Sequence, residues 1–389
     1  MYSVTLLARL IVLGASMPAG NAGAIATRPA ESLGEPAITI FRDPGRYVSF
    51  PDVKRIGPHR LLCVFRDASY PEKIMHIERD ARIVGSISRD DGLTWSSPAV
   101  IYDDPACQND PSVAVLGDGR LLLTFFSWVG LQTTTAPGDR SPFARKVDRG
   151  DWGTWSEAAG VHLLWGQTDP LRWDSRAQHL CGSARVLRAT SSKVIETSRG
   201  TLLLPTYGRS SDKPVDRAFV LRSIDKGKTW GDEIPIAADP EGRIAMQEPS
   251  LIETKPGHIL AVMRTAQAGD HLYVTRSADD GLTWQPARKT DLIGHPADLL
   301  VPPDGTVLLA RGYRHKPFGV RVAISSDGGT HWQREIVIAD SGSGTDLGYP
   351  SLCLTDDRHV LVAYYMNGPD KHDRWIECKR VPLAFLCGR

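Results

Sequence analysis

A chain of 389 residues that is 41% hydrophobic holds enough apolar material for a sizeable core, as one large domain or two ordinary ones. Its 46 Lys and Arg against 45 Asp and Glu leave a formal charge of +1, with no long run of one sign. This excludes the electrostatic footprint of a nucleic-acid or membrane-surface binder and points to a small or neutral partner.

The first segment in chain order is 1–26, where Arg9 and the apolar run Leu10 to Leu13 precede small residues ending in Ala22-Gly23-Ala24 and Ala24-Ile25-Ala26. The pattern predicts a signal peptide with an A-x-A cleavage site, and hence a secreted or periplasmic protein. Its apolar stretch is too short to span a bilayer, so no membrane insertion of the mature chain is expected. Six cysteines (Cys63, Cys107, Cys181, Cys353, Cys378 and Cys387) are an even number in an exported chain and permit disulfides. None forms a C-x-x-C pair, so a zinc site is not expected; no reading of the sequence requires a metal or cofactor, and a loop calcium stays open.

Two repeats run through the remainder. Ser88 to Trp95 (SRDDGLTW), Ser223 to Trp230 (SIDKGKTW), Ser277 to Trp284 (SADDGLTW) and Ser325 to Trp332 (SSDGGTHW) share one pattern, and Asp148 to Trp155 keeps only its closing Gly-Thr-Trp. The carboxylate can accept backbone N–H bonds, the Gly can take positive φ, and the Trp can pack under the turn so formed. The second repeat is a Pro or its equivalent, an alternating strand, a turn and a more apolar strand. Its six copies begin near Pro51, Pro111, Ser192, Pro249, Pro296 and Pro350 and predict six blades of a radial all-β repeat, with a strand near Ala37 to Phe41 closing the ring. The stretch 132–178 breaks the pattern and reads as an insertion in the second blade. In such a ring the residues that open the repeats converge at one end of a central channel. Here they include Asp52, Asp110, Glu248, Asp298 and Tyr349, a set suited to acid and base work.

The shorter motif is the Asp-box. Four copies of it, Glu248 in Gln247-Glu248-Pro249-Ser250 followed by Arg264 on the next strand, Arg311-Gly312-Tyr313-Arg314 before the last Asp-box, and Tyr349-Pro350-Ser351-Leu352 opening the last blade together resemble the sialidase superfamily over essentially the whole mature chain. The resemblance implies a six-bladed β-propeller in which Tyr349 is the nucleophile and Glu248 its base. It implies Arg264 and Arg314 as ligands of the substrate carboxylate, with Arg311 the alternative to Arg314, and it puts Asp110 against the substrate's acyl substituent. A tyrosine suits a sugar that carries a carboxylate on its anomeric carbon, because an anionic Asp or Glu would be repelled where a neutral phenol can approach.

The sequence departs from the family at two places. Ser49 stands where the family has the first arginine of its triad, and Arg46, Lys54, Arg55 or Arg66 would have to supply that charge. The family's loop aspartate, the general acid, has no clean equivalent; Asp67 is preferred, with Glu72 the other carboxylate nearby and His76 on the same loop able to bind substrate. The expectation is an exported, monomeric exo-glycosidase that hydrolyses a terminal acidic sugar of a glycan with retention. The alternatives are another glycosidase or a polysaccharide lyase on the same scaffold, and a non-catalytic glycan-binding propeller.

Overall fold

The computed structural model describes residues 25–28, 36–71, 74–131, 133, 135–136, 145–147, 153–180, 186–210, 215–231, 233–370 and 372–388. Six antiparallel sheets form the six blades of a β-propeller, as the repeats predict. Blade 1 is Arg46–Gly57, Arg60–Ser69, Arg82–Ser88 and Ala99–Tyr102; blade 2 is Cys107–Val115, Arg120–Leu131, Trp155–Thr168 and Leu171–Trp173. Blade 3 opens with Ile195–Glu196 and continues through Leu202–Ser210, Arg217–Ser223 and Ile234–Ala237. Blade 4 is Ala245–Lys255, His258–Ala266, His271–Ser277 and Arg288–Ile293; blade 5 is Ala297–Leu300, Val307–Tyr313, Phe318–Ser325 and Arg334–Gly342. In blade 6, Gly348–Leu354, His359–Asn367 and Arg374–Pro382 are completed by Ile38–Arg42 from the other end of the chain, with Ile38 opposite Cys378. The ring is thereby closed by hydrogen bonds between its two ends.

The second strands carry long apolar runs because neighbouring blades cover both of their faces. Arg60–Ser69 and His359–Asn367 are buried almost throughout. Each junction has its own apolar cluster: Phe65 and Leu361 belong to one between blades 1 and 6, Leu121 and Leu62 to one between 1 and 2, and Leu260 and Leu309 to one between 4 and 5. A fully buried side chain of this size contributes about 1.5–3 kcal/mol, so stability is distributed around the ring.

The four Asp-boxes join third to fourth strands in blades 1, 3, 4 and 5. In the first of them Asp90 Oδ1 accepts from Ser88 Oγ at 2.8 Å and from the Thr94 N–H at 2.9 Å, and the Trp95 indole donates to the Gly92 carbonyl at 3.2 Å. Gly92 needs its φ of +89°, and a Cβ there would run into Leu361 of blade 6. The motif is therefore a structural turn that also seats one blade on the next.

One expectation is corrected. Trp155–Thr168 pairs with Arg120–Leu131 along most of its length, and Leu171–Trp173 pairs on its far side. Much of 132–178 is thus the outer half of blade 2 rather than an insertion. The repeat was hidden because blade 2 turns there through Asp169-Pro170 instead of an Asp-box, and Gly153-Thr154-Trp155 precedes the third strand, where it has no Asp-box equivalence. The cysteines Cys63, Cys107, Cys353, Cys378 and Cys387 are free thiols, while Cys181 lies outside the described residues. Residues 1–24 of the expected signal also lie outside them; Ala26–Arg28 forms an edge strand parallel to Arg334–Gly342. No helix among the described residues is long and apolar enough to cross a membrane.

Candidate active site

Two rings of side chains project into the channel from the first strands. The outer ring is Phe50, Asp110, Ser191, Glu248, Pro296 and Tyr349; two residues further along each strand, the inner ring is Asp52, Ser112, Lys193, Ser250, Asp298 and Ser351. Four outer-ring residues precede a proline and have left-handed backbones, with φ of +56° at Phe50, +48° at Asp110, +50° at Glu248 and +45° at Tyr349. Each coincides with a break in strand register, a bulge that turns the side chain towards the axis. Such a conformation costs of order 1–3 kcal/mol per residue and persists only where its surroundings enforce it.

The inner ring supplies that enforcement. Asp52 of blade 1 accepts the Val113 N–H of blade 2 at 2.7 Å, Ser351 of blade 6 accepts the Val53 N–H of blade 1 at 3.0 Å, and Asp298 of blade 5 accepts the Leu352 N–H of blade 6 at 2.8 Å. Asp52 also holds Lys54, and Asp298 holds Lys193. Asp52 and Asp298 therefore clamp blades together. The expected convergence of five chemical groups separates into two depths because side chains two residues apart share a face but not a level.

At the outer level the pair expected from the sequence is formed. Tyr349 Oη donates to Glu248 Oε1 at 2.8 Å, Arg264 Nε lies 3.0 Å from Glu248 Oε2, and the Arg314 guanidinium carbon stands 5.7 Å from the centre of the Tyr349 ring. Burial, and then the Glu248 carboxylate, hold the Tyr349 phenol well above its ordinary pKa, so it is neutral. Glu248, Tyr349, Arg264, Asp110 and His76 line a pocket of about 170 Å³ whose apolar wall includes Phe50, Phe126 and Trp128. Asp110 accepts from Ser191 Oγ. Burial and the nearby Glu248 push its carboxyl up to about 7.

His76 reaches this pocket from the loop between the second and third strands of blade 1. Its ring is 5.0 Å from that of Phe50, which in turn is 4.5 Å from that of Tyr349. Behind it, Nδ1 is 3.4 Å from Tyr47 Oη and Nε2 is 3.6 Å from Asp346 Oδ1. Burial lowers the imidazole pKa to about 4 against the opposing pull of Asp346.

Other residues expected in the site are elsewhere. Asp67 is held between Arg46 at 2.7 Å and Arg82 at 3.0 Å and does not line the pocket, which also accounts for Arg46. Arg66 has the register position in blade 1 that Arg264 has in blade 4, opposite Ser49 as Arg264 is opposite Gln247. It is nevertheless fully buried and paired with Glu78, because its own outer-ring neighbour is Phe50 and the blade-1 loop brings a carboxylate behind it. Arg311 is likewise drawn away, to Glu335 and the Ile293 carbonyl. Lys54 pairs with Asp52 of the inner ring, and Arg55 pairs with Asp356. Ser49 is fully buried and its hydroxyl has no hydrogen-bond partner, so that position does not open into the pocket. Glu72 lies outside the described residues. The sequence reading missed Asn109, Tyr207, Asp216 and Gln247 in the lining. Asn109 and Gln247 could have been found as neighbours of outer-ring residues, whereas Tyr207 and Asp216 carry no such signal.

The site residues begin first strands and the Asp-boxes end third strands, so the two occupy opposite faces of the propeller. A six-bladed propeller with a Tyr–Glu pair and guanidinium groups at the mouth of its channel has the architecture of the sialidases. The chain belongs to the BNR repeat-like domain family, whose model matches residues 78–362. Among solved structures it is similar to a protein of unknown function from Dyadobacter fermentans (27% identity, TM-score 0.78, covering 89% of this chain and 97% of that one). It is also similar to the NanB sialidase of Streptococcus pneumoniae (14%, TM-score 0.66, covering 90% and 71%) and to the Trypanosoma rangeli sialidase (16%, TM-score 0.61, covering 86% and 55%). At 14–16% identity the two sialidases establish a shared fold. No curated protein matches the chain.

Proposed function

We propose that this protein is an exported exo-glycosidase of sialidase type, which hydrolyses the bond to a terminal acidic sugar with retention. The observation that carries the reading is the 2.8 Å contact from Tyr349 Oη to Glu248 Oε1, built on strained backbone at both residues and flanked by Arg264. As the tyrosine oxygen bonds to the anomeric carbon its proton passes to Glu248, and the guanidinium groups hold the sugar carboxylate. The leaving oxygen takes a proton from His76, whose ring lines the pocket beside Phe50 and must turn from Tyr47 and Asp346 to present a nitrogen to it. Water then attacks the tyrosyl intermediate and returns a proton to His76, while Glu248 reprotonates the departing phenol. Turnover of aryl glycosides of sialic acid and of related ulosonic and uronic acids, with NMR of the first-formed anomer, tests this. Inversion would end the Tyr349 mechanism, and no turnover on any member of the panel would favour a glycan-binding propeller.

The assignment of His76 predicts a leaving-group effect. Burial holds this imidazole near 4, so only a shrinking fraction is protonated above that pH. On alkyl glycosides kcat/KM should fall by about tenfold per pH unit above pH 4, whereas aryl glycosides with an acidic leaving group need no proton and should lack this limb. Identical profiles for both leaving groups would remove His76 from the role.

A further expectation concerns specificity. With Ser49 enclosed, Arg264 and Arg314 are the guanidinium groups beside Tyr349, one fewer than the resemblance implies. A charge-assisted contact is worth roughly 1.5–3 kcal/mol, or about ten- to a hundredfold in binding. Related ulosonic or uronic glycosides should therefore show a higher kcat/KM than sialosides, and a panel in which sialosides are fastest would refute this.

A further inference from the structure

The side of Arg264 away from Glu248 is closed by polar groups of blades 4 and 5. His295, on the loop before Ala297–Leu300, donates its backbone N–H to the Gly312 carbonyl at 2.8 Å. A Cβ on the preceding Gly294 would lie 2.6 Å from that same oxygen, so this loop sits directly on the neighbouring strand. The imidazole spans two partners: Nδ1 is 3.4 Å from Arg264 Nη1, and Nε2 is 2.9 Å from Asp270 Oδ1. His315 Nε2, 3.1 Å from Asp270 Oδ2, anchors the other oxygen of that carboxylate.

The chemistry of these contacts fixes the tautomer. A guanidinium N–H only donates, so Nδ1 turns its lone pair to Arg264 and the proton of the neutral ring sits on Nε2, 2.9 Å from Asp270 Oδ1. The other tautomer would set N–H against N–H. Burial, Arg264 and Arg314 all favour the neutral imidazole.

A guanidinium has five N–H groups. In Arg264 one on Nη2 goes to Gln247 Oε1 at 3.0 Å and one on Nη1 meets His295 Nδ1 at 3.4 Å, while Nε lies 3.0 Å from Glu248 Oε2 as an ion pair without hydrogen-bond alignment. Among the described residues this leaves one N–H on each terminal nitrogen, which is what a bidentate carboxylate takes. We propose that His295, set by Asp270, is a positioning residue that aims the free edge of Arg264 at the carboxylate of an acidic sugar. The inference rests on the reading above that Arg264 is a carboxylate ligand.

Calorimetric titration with sialic acid and its methyl ester tests both levels separately. The parent protein is expected to prefer the acid by about tenfold or more. His295→Ala and Asp270→Ala should each lose at least about fivefold of that preference with ester binding unchanged, and His295→Asn, whose Oδ1 falls near the position of Nδ1, should restore most of it. Asp270 lies at the rim and is 36% exposed, so its variant is expected to fold even if a His295 variant does not. A parent that does not distinguish acid from ester overturns the reading of Arg264 and this inference with it. A parent that does distinguish them, with the preference intact in both alanine variants, overturns the positioning role alone.

Discussion

Tyr349→Phe should lower kcat by at least about a thousandfold while leaving the affinity for an acidic sugar within a few-fold of the parent value. The change removes one oxygen, and in the proposed reaction that oxygen forms its decisive bond only as the sugar leaves its aglycone, so the loss belongs to the transition state. The proposed ground-state contacts through Arg264 and Arg314 should survive it. The phenol's neighbours also argue for a folded variant, because Phe50 and Tyr365 pack against the ring with centroids 4.5 and 6.1 Å away and a phenylalanine keeps those contacts. Steady-state kinetics on an activated aryl glycoside, paired with calorimetric binding, separate the two quantities. Turnover equal to the parent's would exclude Tyr349 as the nucleophile. A parallel loss of binding would instead mean that the hydroxyl holds the ligand.

Glu78→Gln should destabilise the propeller by about 3–5 kcal/mol, the usual consequence of leaving a buried charge without its counter-ion. Arg66 is fully buried, Glu78 nearly so, and the guanidinium's other contacts are weak ones: Nε reaches the Gln108 carbonyl at 3.2 Å, Nη2 the Cys107 Sγ at 3.9 Å, and the Tyr47 ring lies 5.7 Å away. Neutralising Glu78 removes the charge that made the burial of Arg66 tolerable. The double replacement Arg66→Met with Glu78→Leu should recover much of the loss, since apolar groups of similar volume replace a buried ion pair at little or no net cost. Urea unfolding midpoints measure both, and a single variant within 1 kcal/mol of the parent would show that water reaches Arg66. His76 is two residues from Glu78 on the same loop, so the single variant should also impair turnover more than binding.

The sequence by itself determined the blade count, the closure of the ring by a strand near residue 40, the structural nature of the Asp-boxes and the convergence of Glu248 with Tyr349, while their pairing was what the family resemblance implied. All four rest on local signals repeated in register: a Ser-x-Asp turn closes its bonds within a few residues, and a residue before proline in one repeat has the same place as its counterpart in another. Because the blades are equivalent, Glu248 and Tyr349 meet although 101 positions separate them. Only the tertiary structure decided which charged residues reach the pocket. Arg66 and Arg264 hold the same place in their blades, yet one is drawn inward by Glu78 and the other faces Glu248, a choice made by loops whose course no repeat encodes. The same holds for Asp67 between Arg46 and Arg82, for Arg311 on Glu335, and for Asp52 and Asp298, which lie one level below the residues they were grouped with. A charged side chain is long and takes whichever counter-ion the fold brings within a few ångströms, and that distance is set by how neighbouring blades and loops pack, not by spacing along the chain.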